Sequence, residues 1–369
     1  MWVLVPTVET TDPNLAYYND FSQGEAEYAR AFAALGTHWQ WTPVTMAGAR
    51  ATLEAALKGA LEGARETART SSAGAPIMFN LCDGDEINGS PGLSVIHLLN
   101  ELGLDYTGAD VHFFDITTSK IVMKRAFERA NVPTSPWEVI PPDGSNIPGI
   151  FDRLGAPLIL KPAISAGSLG IGTKNVVSDE AALREQFATM QSGYRGWELA
   201  DGGIFVERFV QGPEYTTFII GSHDAPERRV IYAPVERLFH EDLPENEKFL
   251  SFDRLWEIYE QETPIGNDEY LWNYKPVSGA LADEIMRISW DAYAALGGRG
   301  YGRVDLRQDR ATGALQVLEV NAQCGLSEDE NHTSIGAILR FAATPFSTAV
   351  RQILDEALER RPTDGAKVA

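Results

Sequence analysis

The sequence predicts an α/β protein that opens on a parallel sheet and closes on antiparallel strands. Two observations carry this reading. The first third alternates short apolar runs with amphipathic helical stretches, the rhythm of a parallel sheet covered by helices. The last third holds two apolar runs joined by a turn at Thr312–Gly313, the pattern of a β-hairpin. The length, 369 residues, allows two or three domains at roughly 150 residues each.

Taken in order, Trp2–Val5 is a short apolar run. It reads as a strand and not a signal peptide, since MWVLVPTVETTDP has no basic start and meets a proline early. Gln23–Leu35 has helical spacing, with Ala26, Ala29 and Ala33 on one face. Ala49–Arg69 repeats Leu53, Leu57 and Leu61 every four residues and is a clearer helix. Ser71–Pro76 is turn chemistry and Ile77–Cys82 a buried strand. Leu93–Leu102 is a helix capped by Gly103. The composition changes around Val111–Ser119, and a helix at Lys120–Ala130 stops at Asn131–Pro133. A strand at Pro157–Pro162, a Gly/Ser-rich segment at Ser165–Gly172, a helix at Asp179–Gln191 and a strand at Gly203–Phe209 follow. Strands are expected at Glu214–Ile220 and Arg229–Val235. Phe239–Pro276 is polar, aromatic and weakly periodic, too long for a passive connection, and reads as a lid. Helix Ala280–Leu296, strands Tyr301–Gln308 and Leu315–Asn321 and a final helix near Ile335–Arg360 come last, with Arg361–Ala369 as a frayed tail.

Lys and Arg number 31 against 52 Asp and Glu, a net charge of −21. Such a chain repels phosphate backbones and anionic membranes, so neither nucleic acid nor membrane is an expected partner. A pocket for one nucleotide needs only two or three placed cations. Two cysteines, Cys82 and Cys324, make no disulfide framework and fit a reducing compartment. No apolar stretch nears the roughly 20 residues that span a bilayer. A cytoplasmic location is expected.

The chemistry concentrates in three segments. In VDLRQDRATGALQVLEVN, Asp305 stands on one strand, and Glu319 and Asn321, two apart, share a face of the other. Two carboxylates and an amide oxygen make a hard-oxygen site of the kind Mg²⁺ prefers. Arg303 shares the face of Asp305 and is able to stabilise a transferring phosphoryl group or an oxyanion. The apolar neighbours Val304, Leu306, Val317, Leu318 and Val320 argue against a merely solvated face, because buried acids need partners or a metal. In LILKPAISAGSLGIG, Lys161 precedes a glycine-rich flap, Ala166–Gly172, whose N–H groups suit phosphate oxygens. The Walker pattern is absent, since Leu160 and Pro162 flank this lysine. In GIFVERFVQGPEYT, Glu207 ends a strand and Glu214 follows a Gly-Pro turn. Such a strand edge presents one carboxylate to adenine and a second to ribose, although alone both glutamates read equally well as surface residues.

Together these segments resemble the ATP-grasp superfamily, and within it the D-alanine–D-alanine ligases and their relatives, from about Phe79 to Gly325. RVDLR…VLEVN is the most specific part, and FNLCDGDEINGSPG…LNELGLDYTGAD is similar to the N-domain signature. The resemblance implies an ATP-grasp fold: an N-terminal parallel α/β domain over 1–114, a central subdomain over 115–211, and a C-terminal subdomain with lid and metal site over 212–369. The last two, both α+β, sandwich ATP. It implies an ATP-dependent carboxylate–amine ligase, in which an amine attacks an acyl phosphate and an amide, ADP and phosphate result. Carried over by motif, Lys120 and Lys161 contact the phosphates. Glu207 binds the adenine amino group, the backbone of Arg208, Phe209 and Val210 lines the adenine slot, and Glu214 binds ribose. Asp305, Glu319 and Asn321 hold two Mg²⁺ or Mn²⁺ ions. Arg303 and the N–H of Gly325 form the oxyanion site. Such chemistry needs positioning and neutralisation more than covalent help. A homodimer is expected by the same analogy.

The departures from the family gather at substrate positions. Glu25 or Glu27 stands in for the acid that receives a substrate ammonium. Of the paired serines of the phosphate loop only Ser168 remains, with Gly167 in the first position. Asp83 replaces a histidine, which favours a cationic substrate group over an anionic one. The Lys-Tyr pair of the lid is read at Leu255-Trp256, so its lysine is missing and Arg254 or Lys248 is left to compensate. Ser334 or Ser327 meets the second substrate. The expected function is a ligase joining amino acids, or an amino acid and a related amine, other than two D-alanines. The alternatives are a divergent D-alanine–D-alanine ligase of peptidoglycan synthesis, a carboxylate kinase without an amine acceptor, and, from another class, a nucleotide-binding protein with little ligase activity. Cys324 reads as a small buried residue and His97 as packed or exposed; His332 stays open, as do Trp256 and Trp272 between pocket cap and lid packing.

Overall fold

The computed structural model describes residues 1–9, 21–67, 77–87, 89–165, 167–193, 197–255 and 271–360. The expected turn at Ser71–Pro76, Trp256 and the tail Arg361–Ala369 lie outside them.

Strands β1 (Trp2–Pro6), β2 (Gln40–Val44), β3 (Ile77–Asn80) and β4 (Asp105–Tyr106) form a parallel sheet in the order β2-β1-β3-β4. Helices Ser22–Ala34, Ala49–Thr67 and Leu93–Glu101 accompany it. Leu53, Leu4, Met78, Val95 and Leu99 meet in one apolar cluster, each fully removed from water. Burying such a side chain contributes about 1.5–3 kcal/mol. The alternation of QWTPV is broken by Pro43, so β2 escapes a periodicity reading; at the sheet's edge the missing N–H costs little. Gly103 follows the third helix at φ +64°, the capping geometry expected of it.

Strands β5 (Trp137–Ile140), β6 (Leu158–Pro162), β7 (Val176–Val177) and β8 (Ile204–Arg208) make a second, antiparallel sheet ordered β5-β8-β6-β7. Asp179 caps helix Glu180–Gln191 by accepting from the Ala182 N–H. A third sheet holds β9 (Glu214–Ile220), β10 (Val230–Ile231), β11 (Val235–Phe239), β12 (Trp272–Pro276), β13 (Tyr301–Gln308) and β14 (Leu315–Ala322). Its order is β12-β11-β9-β13-β14, with β10 also on β9. The expected strand Arg229–Val235 is therefore two: Pro234 lies between β10 and β11, and the chain resumes pairing at Val235.

Where one final helix was expected there are two, Ser334–Phe341 and Phe346–Glu359. Pro345 sits at the N-cap of the second and cannot continue the first. Val111–Thr118 is also helical, capped by the Asp110 carboxylate. Both C-terminal helices share a core with the first and third sheets: Ile335 and Phe346 pack with Val3, Phe32, Phe79, Phe218 and Tyr301. Helix Lys120–Ala130 sends Met123, Ala126 and Phe127 into the core of the third sheet beside Ile285, Val304 and Val317. Trp272 packs against the first of these cores from β12. No described helix is long and apolar enough to cross a membrane.

Candidate active site

A cavity of about 580 Å³ opens where the three sheets meet. Its third-sheet wall follows from strand register. Asp305 on β13 lies opposite Thr216 on β9 and Glu319 on β14; Arg303 lies opposite Asn321; Arg307 lies opposite Glu214, which in turn faces Arg237 on β11. Alternation puts 303, 305 and 307 on one face, while Val304 and Leu306 fill the core behind.

Each acid on this wall has a counter-charge. Asp305 accepts from Arg303 Nη2 at 2.8 Å and from the Thr216 hydroxyl at 2.7 Å. The Asn321 amide donates to Asp305 at 3.1 Å and to Glu319 at 3.4 Å, which fixes how closely the three side chains converge. Lys120, first residue of its helix, lies 3.3 Å from Glu319 and donates to the Ser165 carbonyl at 2.8 Å. Burial alone favours a protonated Glu319, but Lys120, Lys161 and Arg303 outweigh it and hold the carboxyl well below its usual range. Burial opposes the charge on Arg303, and Asp305 beside it raises the guanidinium further.

Glu207 at the end of β8 is held between Lys161 on β6, 2.7 Å away, and Lys124, 2.5 Å away. Both oxygens of the expected adenine ligand are thus engaged by lysines, which overcome its burial and keep it ionised. Lys124 also donates to the Thr134 hydroxyl at 2.7 Å, and that hydroxyl donates to the Val317 carbonyl on β14. Glu214, the expected ribose ligand, is buried between Arg237 and Arg307, and these guanidiniums keep it ionised against burial. The Val210 carbonyl accepts from Arg307 at 3.0 Å, and the Arg208 guanidinium reaches Asp309 at 2.7 Å. Ile159, Ile171, Phe209 and Phe249 form an apolar slot beside these ions, with Phe209 edge-on to Phe249 and under Arg307.

At the other end the cavity is lined by Asp83, Gly167, Ser168, Cys324, Gly325, Ser327, His332 and Ser334. Ser168 sits at φ +62° and donates to the Leu250 carbonyl at 3.0 Å, tying the glycine-rich loop to the lid segment. Cys324 is buried, and burial pushes its thiol up to about 12, which leaves a small packed residue. His332 is exposed and pairs with Asp329. His97 is exposed on its helix.

Several expectations need correction. Glu25 is exposed in the first turn of its helix and does not line the cavity. Two residues are about 200° of helix, so Glu27 points the other way: it is buried, accepts from the Ser327 hydroxyl at 3.0 Å and from the Glu328 N–H at 3.0 Å. Arg254 is buried against Glu247 and is not a cavity cation. Lys248 bonds Glu245, but its carbonyl accepts from Arg307 and the next residues, Phe249 and Leu250, line the cavity. Ser327 is committed to Glu27 and accepts from the Asp329 N–H, whereas no described residue holds the Ser334 hydroxyl.

Sequence reasoning missed Lys124, Arg307, Arg237 and Gln323. Lys124 stands one turn after Lys120 on the same face, and Arg307 continues the 303–305 alternation, so both were readable. Arg237 was hidden by the misplaced strand. Gln323, just after β14, donates to the Cys82 carbonyl at 2.9 Å and accepts from the Ala109 N–H at 3.2 Å and from Asn80 at 3.5 Å. It pins the turn carrying Asp83 to the β13–β14 hairpin.

The family model described as D-ala D-ala ligase C-terminus matches residues 127–335, more than half of the chain. The chain belongs to this family. It is an ATP-grasp ligase of the kind that forms carbon–nitrogen bonds. The chain is 30% identical over 264 residues to a D-alanine–D-alanine ligase of Nitrosococcus oceani, covering 72% of each. It is 26% identical over 283 residues to one from Xanthomonas axonopodis pv. citri, covering 76% of this chain and 78% of that protein. In fold it is similar to a D-alanine–D-alanine ligase of Bacillus anthracis complexed with ATP, at a TM-score of 0.64 and 16% identity over 97% of both chains.

Proposed function

We propose that this enzyme joins the carboxylate of one amino acid to the amine of another amino acid or a related amine, at the expense of ATP. The observation that carries the reading is the wall of alternating charge on β9, β13 and β14, facing Lys161 of β6 and Lys120 of helix Lys120–Ala130 across one cavity. The residues suit the nucleotide: Ile159, Ile171, Phe209 and Phe249 give the cavity an apolar side, beside the cations Lys161, Arg237 and Arg307 that line it. The donor set also suits Mg²⁺: Asp305 and Glu319 converge on the Asn321 amide, whose NH₂ bonds both here and whose oxygen, with the amide turned over, would join them as hard ligands, with water and phosphate to complete the shell. Bound there with its metal, ATP supplies the phosphoryl group that activates the carboxylate.

In this reading Lys120 and Lys161 neutralise phosphate, while Lys124 fixes Glu207 beside the base. Arg237 and Arg307 fix Glu214 for the sugar hydroxyls. Arg303, held in place by Asp305, and the Gly325 N–H stabilise the oxyanion, an effect worth on the order of 10²–10³ in rate per donor. Ser168 positions the lid through Leu250, Lys248 is our choice for the lid cation, and Ser334 meets the second substrate. The working parts are 1–114, 115–211 and 212–369, one sheet to each.

Coupled ADP release over single amino acids and pairs tests this. ADP formed with pairs other than two D-alanines supports it. Turnover confined to D-alanine at ordinary rates replaces it with the activity named for the relatives. Nucleotide binding without ADP formation on any amine leaves only a nucleotide-binding protein.

A further inference from the structure

Among the acids that line the cavity's charged wall, every carboxylate is answered: Asp305 by Arg303, Glu319 by Lys120, Glu207 by Lys124 and Lys161, Glu214 by Arg237 and Arg307. Asp83 is different. It lies on the turn after β3, opens onto the same cavity, and has no cationic partner among the described residues. The titratable groups on which its charge acts are Cys82 beside it, Tyr28 from helix Ser22–Ala34, Tyr301 from β13 and Cys324 after β14; Asp85 and Glu86 share its turn, and Arg303 from β13 lines the same cavity. Of these, only Arg303 is a cation, and it is bonded to Asp305. The hydroxyls of Tyr28 and Tyr301 are enclosed and find no hydrogen-bond partner among the described residues. Burial, to which Asp83 makes a smaller addition, makes both hydroxyls harder to ionise. Asp83 differs from these tyrosines in being exposed on the cavity side, and the protein around it lifts its carboxyl to about 6 by desolvation. The other acids proposed for this end are unavailable, because Glu25 faces outward and Glu27 is spent on Ser327 and Glu328.

We propose that Asp83 is the counter-ion for an ammonium group of the substrate and makes this end of the cavity select amino-bearing substrates over hydroxy or anionic ones. This rests on the ligase reading above. The ammonium is either the one every α-amino acid carries or a second one on a basic side chain. The test separates these sources.

Wild-type protein and Asp83→Asn, each saturated with ADP and Mg²⁺, are titrated with lactate, alanine, 2,3-diaminopropionate and aspartate, in both enantiomers, and the melting temperature is followed. In the wild type the apparent affinity for an ammonium-bearing ligand is expected to exceed that of its partner without the group by roughly 10–100-fold, the range for a charged hydrogen bond. Aspartate binds worst. In Asp83→Asn the gap closes while ADP affinity stays the same, which also shows that the variant folds. Closure of the alanine–lactate gap assigns the α-ammonium; closure of the diaminopropionate–alanine gap alone assigns a side-chain ammonium. Wild type without either gap, or a variant that keeps both, overturns the proposal. ADP release with the same panel is scored separately: its complete absence defeats the ligase reading, whereas the binding gaps decide the role of Asp83.

Discussion

Replacing Lys124 with methionine removes a charge from a buried three-ion chain while keeping most of the volume. The Lys124 side chain is 1% exposed and that of Glu207 2%. Stranding one member of a buried pair costs about 3–5 kcal/mol. Here Lys161 stays 2.7 Å from Glu207, so the carboxylate is half-answered and the lower figure, about 3 kcal/mol, applies. Glu207→Gln strands the two lysines instead and falls in a similar range. The double variant should cost less than the sum by about 2–3 kcal/mol, because once Glu207 is neutral the loss of Lys124 strands no further charge and only the less buried Lys161 is left unmatched. Urea unfolding of wild type, both single variants and the double variant, followed by tryptophan fluorescence, closes the cycle. Additivity within about 0.5 kcal/mol would refute the coupling, and with it the claim that Lys124 holds the base-side carboxylate in place.

Two further predictions concern the charged wall and the substrate end. Lys161→Ala and Glu319→Ala should each abolish ATP turnover with the far-UV circular dichroism unchanged; normal turnover in either variant would put the chemistry elsewhere. Desolvation lifts the Asp83 carboxyl to about 6 against an ordinary 3.8, so its ionised form opposes folding; the side chain is exposed, so the penalty is small, and it grows as pH rises through this interval. Asp83→Asn should therefore melt higher than wild type at pH 7.5, with the gain shrinking towards pH 4; an equal gain at both ends would sink the assignment.

Much of this site was legible because β-structure turns spacing into direction. Two-residue alternation alone put Arg303, Asp305, Glu319 and Asn321 on one face, and the register agrees. Where the reading failed, a specific competing effect was at work. Pro43 and Pro234 interrupt apolar patterns without ending the sheets they belong to, which concealed β2 and the strand that bears Arg237. Helix phase, not composition, decides between Glu25 and Glu27, and the phase of Ser22–Ala34 depends on packing with Phe79 and Phe346 that no local pattern contains. Within the lid read as Phe239–Pro276, the Lys-Tyr pair was placed at Leu255-Trp256, yet it is the stretch around Lys248 and Phe249 that meets Arg307 and Phe209. Lid contacts join residues far apart in sequence, 59 positions for Lys248 and Arg307 and 82 for Ser168 and Leu250, and the weak periodicity of the lid offers no local cue.

Gln323 decides what happens when pieces of such ligases are exchanged. Its amide joins Asn80, Cys82 and Ala109 to the end of β14, and a Cβ on Gly108 would come within 2.2 Å of its oxygen. A chimera that transplants residues 1–114 from a homologue must therefore bring a matching glycine and acceptor to that seam. A mismatch there would tilt the Asp83 turn away from Arg303, so a well-folded hybrid would lose discrimination among its substrates before it lost its grip on the nucleotide.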